Sequence, residues 1–174
     1  MLIESACLAP SVGLSEPWRF AFVESAEKRL AVAREFEAQN RIASDDYAPQ
    51  AKSEYLQLKL AGLRDAPVHL AVFCDASTPQ GRGLGRQTMP ECVEYSVVAA
   101  IQNFWLAARC LGIGVGWVSI LEPDIIQKIL EVEPEWKLIA YLCVGYPNEW
   151  SDVPELERRG WERRSSAEKI YTIR

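Results

Sequence analysis

The chain has 174 residues, 49% of them hydrophobic, which is enough to build an apolar core in one domain. Its formal charge of −5 and pI near 5.1 exclude the basic stripe of a nucleic-acid-binding surface, and the cluster Arg158, Arg159, Arg163, Arg164 is too short for a basic arm, though it suits a single phosphate. No stretch approaches the ~20 apolar residues needed to span a bilayer and the N-terminus has no signal-peptide pattern, so a soluble, cytoplasmic protein is expected.

Residues 1–8 read as the tail of an apolar helix with nothing before it to cap or start one. Residues 9–13, Ala-Pro-Ser-Val-Gly, form a helix-ending loop. Residues 18–23 alternate and carry aromatics, which predicts a strand. Ser25 precedes a helix over 26–39 with Leu30, Ala33 and Phe36 on one face. A polar break over 40–49 is followed by helix signal over 51–64 and a strand over 68–74. Residues 75–90 are a long loop, of a length usually found at functional or mobile sites. Residues 91–111 give the strongest helix, apolar nearly all round, which predicts a buried central helix or one covered on a second side by a partner subunit. Gly112 stops it. A strand over 115–121, a short helix from Pro123 to Leu130 and a strand over 138–146 complete the pattern, before a polar tail. With no repeat, low-complexity tract or linker, residues 1–174 read as a single α+β domain with a mixed central sheet flanked by helices.

The five cysteines form no CxxC pair and have no His-rich partner segment, so buried free thiols are expected rather than a disulfide framework, and no metal site. His69, the only histidine, lies in a strand, which suits the core better than a catalytic base; no nucleophile elbow exists to partner it. Neither glycine cluster is a dinucleotide fingerprint. Residues 81–86 do not fit GxGxxG, and residues 112–116 run from helix into strand, the reverse of the order that aims a helix dipole at a pyrophosphate.

Several strings together carry a resemblance. Ala9-Pro10-Ser11-Val12-Gly13 followed by Glu16-Pro17-Trp18 is similar to the APSxxNxQPW loop of flavin-dependent nitroreductases. The segments 85–91, 95–98 and 102–109, with Gly114-Val115-Gly116-Trp117-Val118-Ser119, Leu142-Cys143-Val144-Gly145-Tyr146 and the later Pro154-Glu155-Leu156 and Gly160-Trp161, resemble the 5,6-dimethylbenzimidazole synthase family. The match covers most of the chain. It implies a nitroreductase-like fold and a homodimer with FMN at the subunit interface. It also implies that reduced FMN is the substrate rather than a recycled cofactor, broken down with O2 to 5,6-dimethylbenzimidazole, the lower ligand of vitamin B12, with a separate flavin reductase as a possible source of the reduced flavin.

By the same resemblance Ser119 is the catalytic residue, guiding proton movement at the reacting flavin; the alternative is a strand serine capping a turn. Pro10, Ser11, Val12, Gly13, Glu16, Trp18, Trp117 and Val118 are expected to hold the ring. Arg164 and Lys59 are expected at the phosphate, each with a solvated surface charge as the alternative. The sequence departs from the family twice. Glu16 stands where the family usually has Gln, and the family's Arg-Arg-Asp segment, upstream of the loop, precedes the first residue here. The chain is therefore read as N-terminally truncated, with part of the fold missing and poor flavin binding expected. A diverged general FMN-dependent nitroreductase and a non-catalytic flavin-binding remnant stay open beside that reading.

Overall fold

The computed structural model describes residues 1–57 and 62–165. In chain order its elements are α1 (Leu2–Cys7), β1 (Trp18–Phe22), α2 (Ala26–Ser44), α3 (Pro49–Gln57), α4 (Gly62–Asp65), β2 (Val68–Asp75), α5 (Cys92–Cys110), β3 (Gly114–Val118), α6 (Pro123–Leu130), β4 (Trp136–Gly145) and α7 (Glu155–Arg158). Single 3-10 turns occupy Val12–Leu14 and Gln80–Gly83.

The four strands form one sheet in the order β1-β2-β4-β3, and every hydrogen-bonded pair is antiparallel. This corrects the expectation of a mixed sheet. β2 and β3, joined through α5, do run parallel, but β4 inserts between them and removes the parallel ladder that a βαβ crossover would otherwise make.

Period-2 alternation divides the core into two layers. Leu70, Val72 and Cys74 of β2 join Ala140, Leu142 and Val144 of β4 under Val93, Val97, Ala100, Ile101 and Phe104 of α5. The intervening residues Ala71, Phe73, Tyr141 and Cys143 face the opposite layer, with Val32 of α2, Leu63 of α4 and Ile126 and Leu130 of α6. A sheet covered on both faces explains why β2 and β4 read as continuous apolar runs. On α2 the fully buried anchor is Val32, whereas Leu30, which the sequence places on one face with Ala33 and Phe36, is 51% exposed.

Two boundaries move for physical reasons. Ser25 caps α2 through its side chain, which accepts from the Lys28 amide, and the helix continues to Ser44 rather than stopping near residue 39. β3 ends at Val118 rather than near residue 121. Opposite it, β4 carries an extra residue, Ile139, where the register shifts between Val72↔Ala140 and Phe73↔Leu138. Pairing of β3 stops beside that bulge and frees the segment that follows.

Helix α5 is not buried on all sides. Tyr95 (56%), Val98 (40%) and Leu106 (56%) leave an apolar stripe exposed along its outer face. Of the five thiols, Cys74 and Cys143 are buried and pushed up to about 11 by that burial, whereas Cys7 and Cys110 are exposed, against the expectation.

Candidate functional site

The loop between α1 and β1 is held by long-range contacts. Three of its residues take left-handed backbone angles: Gly13 (φ 60°), Leu14 (φ 58°) and Glu16 (φ 42°). Two of these are not glycine, so the conformation persists only where surrounding bonds over-determine it. Those bonds are present. The Val12 amide donates to Ser96 Oγ of α5 at 3.0 Å, and Ser96 in turn donates to the Cys92 carbonyl at 2.7 Å. The Glu16 amide donates to Ser11 Oγ at 3.1 Å. Gln80 Nε2 donates both to the Leu14 carbonyl (2.9 Å) and to Glu16 Oε2 (2.8 Å).

Next along, Arg19 donates to Asp75 Oδ2 at 2.7 Å and reaches the Glu16 carbonyl. Burial works to raise the Asp75 pKa, but hydrogen bonds from Ser77 and the Arg19 charge outweigh it and hold the carboxyl below its ordinary value.

The long segment 75–90 lies against this loop as an ordered partner. A Cβ built on Gly81 would lie 2.5 Å from the Gly13 carbonyl oxygen, and one on Gly13 would lie 2.8 Å from that of Leu84. The two backbones touch there because neither residue has a side chain. Arg86 braces the segment from within, donating to the carbonyls of Ala76 (3.2 Å), Thr78 (3.3 Å) and Gln80 (3.1 Å). Its Nε is buried without a partner among the described residues. Between the loops opens a groove of about 950 Å³, lined by Gly13, Leu14, Gln80, Arg82, Leu84 and Thr88 among others. Its size and its mix of apolar wall, amides, hydroxyl and one guanidinium suit a flat heteroaromatic ring with a polar edge and an anionic tail.

The other expected site residues are distributed as follows. Pro10 is exposed, Ser11, Val12 and Gly13 are half-buried, and Trp18 is 7% exposed in the core layer beneath α5. Trp117 packs against that same layer from β3, while the Val118 side chain points the opposite way into the second layer. Ser119 is exposed just beyond β3, with no partner for its hydroxyl among the described residues. Arg164 is exposed, three residues past Trp161, whose ring packs on Tyr47 and Tyr55. Lys59 lies outside the described residues.

The two central segments do not meet within one chain. Val118 stands opposite Tyr141, Tyr141 opposite Ala71, and Ala71 opposite Ala21, so β3 and β1 are the two edges of the sheet. Three strand spacings of about 4.8 Å separate those edges by roughly 14 Å. Trp18 and Ser119 nevertheless face the same end, because β1 starts where β3 finishes.

Sequence reasoning missed Ser96, Gln80 and Arg86. The length of the 75–90 loop pointed toward Gln80 and Arg86, and Arg86 and Ser96 lie in segments that carry the resemblance, but neither signal assigned them a role. His69 is 2% exposed, and its Nδ1 lies 2.8 Å from Tyr141 Oη in the layer away from the groove. Among the described residues no group of His, Cys, Asp or Glu is placed to hold a metal ion, and no helix is long and apolar enough to cross a membrane.

The Nitroreductase family model matches residues 1–146. The 5,6-dimethylbenzimidazole synthase of Rhodospirillum rubrum is 50% identical over 163 residues, covering 94% of this chain and 77% of that protein. The enzyme of the same name from Rhodobacter capsulatus is 41% identical, covering 89% of this chain and 75% of the relative. Among solved structures, a BluB-like flavoprotein from Clostridium difficile 630 superposes with a TM-score of 0.70 at 23% identity, covering 99% of this chain and 86% of that one. A four-stranded antiparallel sheet between two helical layers and an ordered loop carrying the Ala-Pro-Ser motif agree with these matches: the chain belongs to the nitroreductase family and, within it, to the family of 5,6-dimethylbenzimidazole synthases.

Proposed function

We propose that this chain is a cytoplasmic, homodimeric enzyme that fragments reduced FMN with O2 to 5,6-dimethylbenzimidazole, and that residues 1–174 form one flavin-binding domain. The observation that carries the reading is the rigid loop 10–16 beside a groove of about 950 Å³, in a chain 50% identical to a synthase of that name. Bound reduced flavin supplies the electrons that activate O2 and is itself the substrate consumed. Everything else falls to the protein.

Pro10 to Gly13 present a fixed backbone edge to the ring, and their rigidity lowers the ordering cost of binding. Trp117 forms an apolar wall. Ser119, exposed and without a partner among the described residues, has a hydroxyl that can both donate and accept, so it can hold or pass a proton at the reacting ring. Arg164 and Lys59 are assigned to the phosphate, where a cation on a long stem can follow an anion. The apolar stripe Tyr95, Val98, Leu106 on α5 supports a second copy as the covering surface. Reduced flavin would come from a separate reductase, since the reading requires it to arrive already reduced.

The test is direct. Protein given reduced FMN in air should yield 5,6-dimethylbenzimidazole, separable from FMN by chromatography, and Ser119→Ala should lower the yield by at least about tenfold. Oxidation of a nicotinamide with FMN left intact would instead identify a general flavin reductase. FMN retention without either reaction would identify a binding protein.

A further inference from the structure

We propose that Gln80 and Arg86 are positioning residues for the flavin-holding loop: Arg86 fixes the backbone over 76–80, and Gln80 uses that fixed point to lock Leu14 and Glu16 in their left-handed conformations. The proposal rests on the reading that residues 10–13 touch the flavin. Its parts form one continuous chain of bonds. Arg86 draws three carbonyls toward one guanidinium, and the last of them, that of Gln80, sets where the Gln80 side chain begins. Both hydrogens of the Gln80 amide are then spent, one on the Leu14 carbonyl and one on the Glu16 carboxylate. Leu14 and Glu16 are the two non-glycine residues of the loop that pay backbone strain, at φ 58° and 42°. The close approach of Gly13 and Gly81 makes the two loops one body, so any relaxation of 80–86 is passed to 13–16.

Gln80 also does something a generic brace would not. Glu16 is a carboxylate where the resemblance expects an amide, and a negative charge free to swing toward an electron-rich ring would disfavour the anionic form of reduced flavin. The Gln80 amide holds that carboxylate by one oxygen and fixes its direction. The pair is matched: a donor on 80 to an acceptor on 16. Reversing one partner should break the match, and reversing both should restore part of it.

The experiment is a reciprocal swap in the full chain, with FMN titrated by flavin fluorescence and the visible absorption of bound oxidised FMN recorded. Gln80 is exposed, so its substitution leaves the core untouched. Q80E places an acceptor against the Leu14 carbonyl and the Glu16 carboxylate. It should weaken FMN binding by about tenfold, the scale of one charge-assisted hydrogen bond, and shift the absorption envelope. With E16Q measured as the fourth corner of the cycle, E16Q in the Q80E background should bind more tightly than Q80E and more tightly than the two single changes sum to, a non-additive result that loss of stability alone does not produce. Without flavin, Q80A should speed amide hydrogen exchange over residues 12–16 while leaving α5 and β2 unchanged. Q80E binding FMN as wild type does, a double variant no better than Q80E, or unchanged exchange in Q80A would each overturn the proposal and leave the flavin reading intact. A wild-type chain that takes up no FMN would overturn both.

Discussion

Burial and the neighbouring Arg29 charge hold the His69 pKa below its ordinary value, and a hydrogen bond with Ala66 works the other way without winning. The imidazole is therefore neutral in the folded chain, paired with Tyr141. An unfolded histidine takes up a proton near pH 6.5 and the folded one resists it, so the stability His69 contributes is complete above about pH 6.5 and is lost as pH falls toward the folded value. The urea midpoint should thus drop from pH 7 to pH 5, and His69→Gln should flatten that slope while lowering stability at pH 7. Asp75 works in a separate window. Its folded pKa is depressed, so its contribution is present above about pH 3.9 and vanishes only at lower pH.

Gly13 gives a second test at this scale. A Cβ there would meet the Leu84 carbonyl at 2.8 Å in a backbone that already has φ 60°. Gly13→Ala should cost about 1–3 kcal/mol, read as a lower thermal midpoint, and should weaken FMN binding. What the sequence disclosed at this scale was residue type within a motif: Ser11, Gly13 and Ser119 stand out because a known string surrounds them. What it concealed were partners brought together by folding. Val12 and Ser96 are 84 positions apart and Glu16 and Gln80 are 64 apart; Ser96 lies in a string that carries the resemblance, but nothing in that string names its partner, and Gln80 belongs to no such string.

Among the elements, α5 and the apolar strands were legible because their hydrophobic period is set by one buried face repeated over many residues. The end of β3 was not. Val118, Ser119 and Ile120 read alike as strand, and only the bulge at Ile139 on a neighbouring strand decides where pairing stops. The sheet's hand was hidden for a similar reason, since parallel or antiparallel pairing depends on where β4 inserts. Two predictions belong here. Ile126 of α6 is fully buried, so Ile126→Ala should cost about 2–5 kcal/mol in a denaturant titration. The stripe Tyr95, Val98, Leu106 is exposed in one chain, so Val98→Asp or Leu106→Asp should leave the monomer folded and shift sedimentation from dimer to monomer.

For the whole molecule, sequence resemblance singled out two segments for the proposed site but not their separation. The loop 10–16 sits beside β1 and Ser119 follows β3, and these strands are opposite edges of one sheet. In the proposed dimer, two copies packed through α5 would supply the missing juxtaposition, with the loop of one protomer facing Ser119 of its partner. Such a site can be complemented. A Ser119→Ala chain and a chain with its loop disabled by Gly13→Val are each expected to be inactive alone. Co-expressed and purified as a mixed dimer, they should recover one intact site and form 5,6-dimethylbenzimidazole from reduced FMN and O2. If the mixed dimer is as inactive as either parent, while a dimer of wild-type chains turns over, the site is not shared between protomers and the proposed arrangement is wrong.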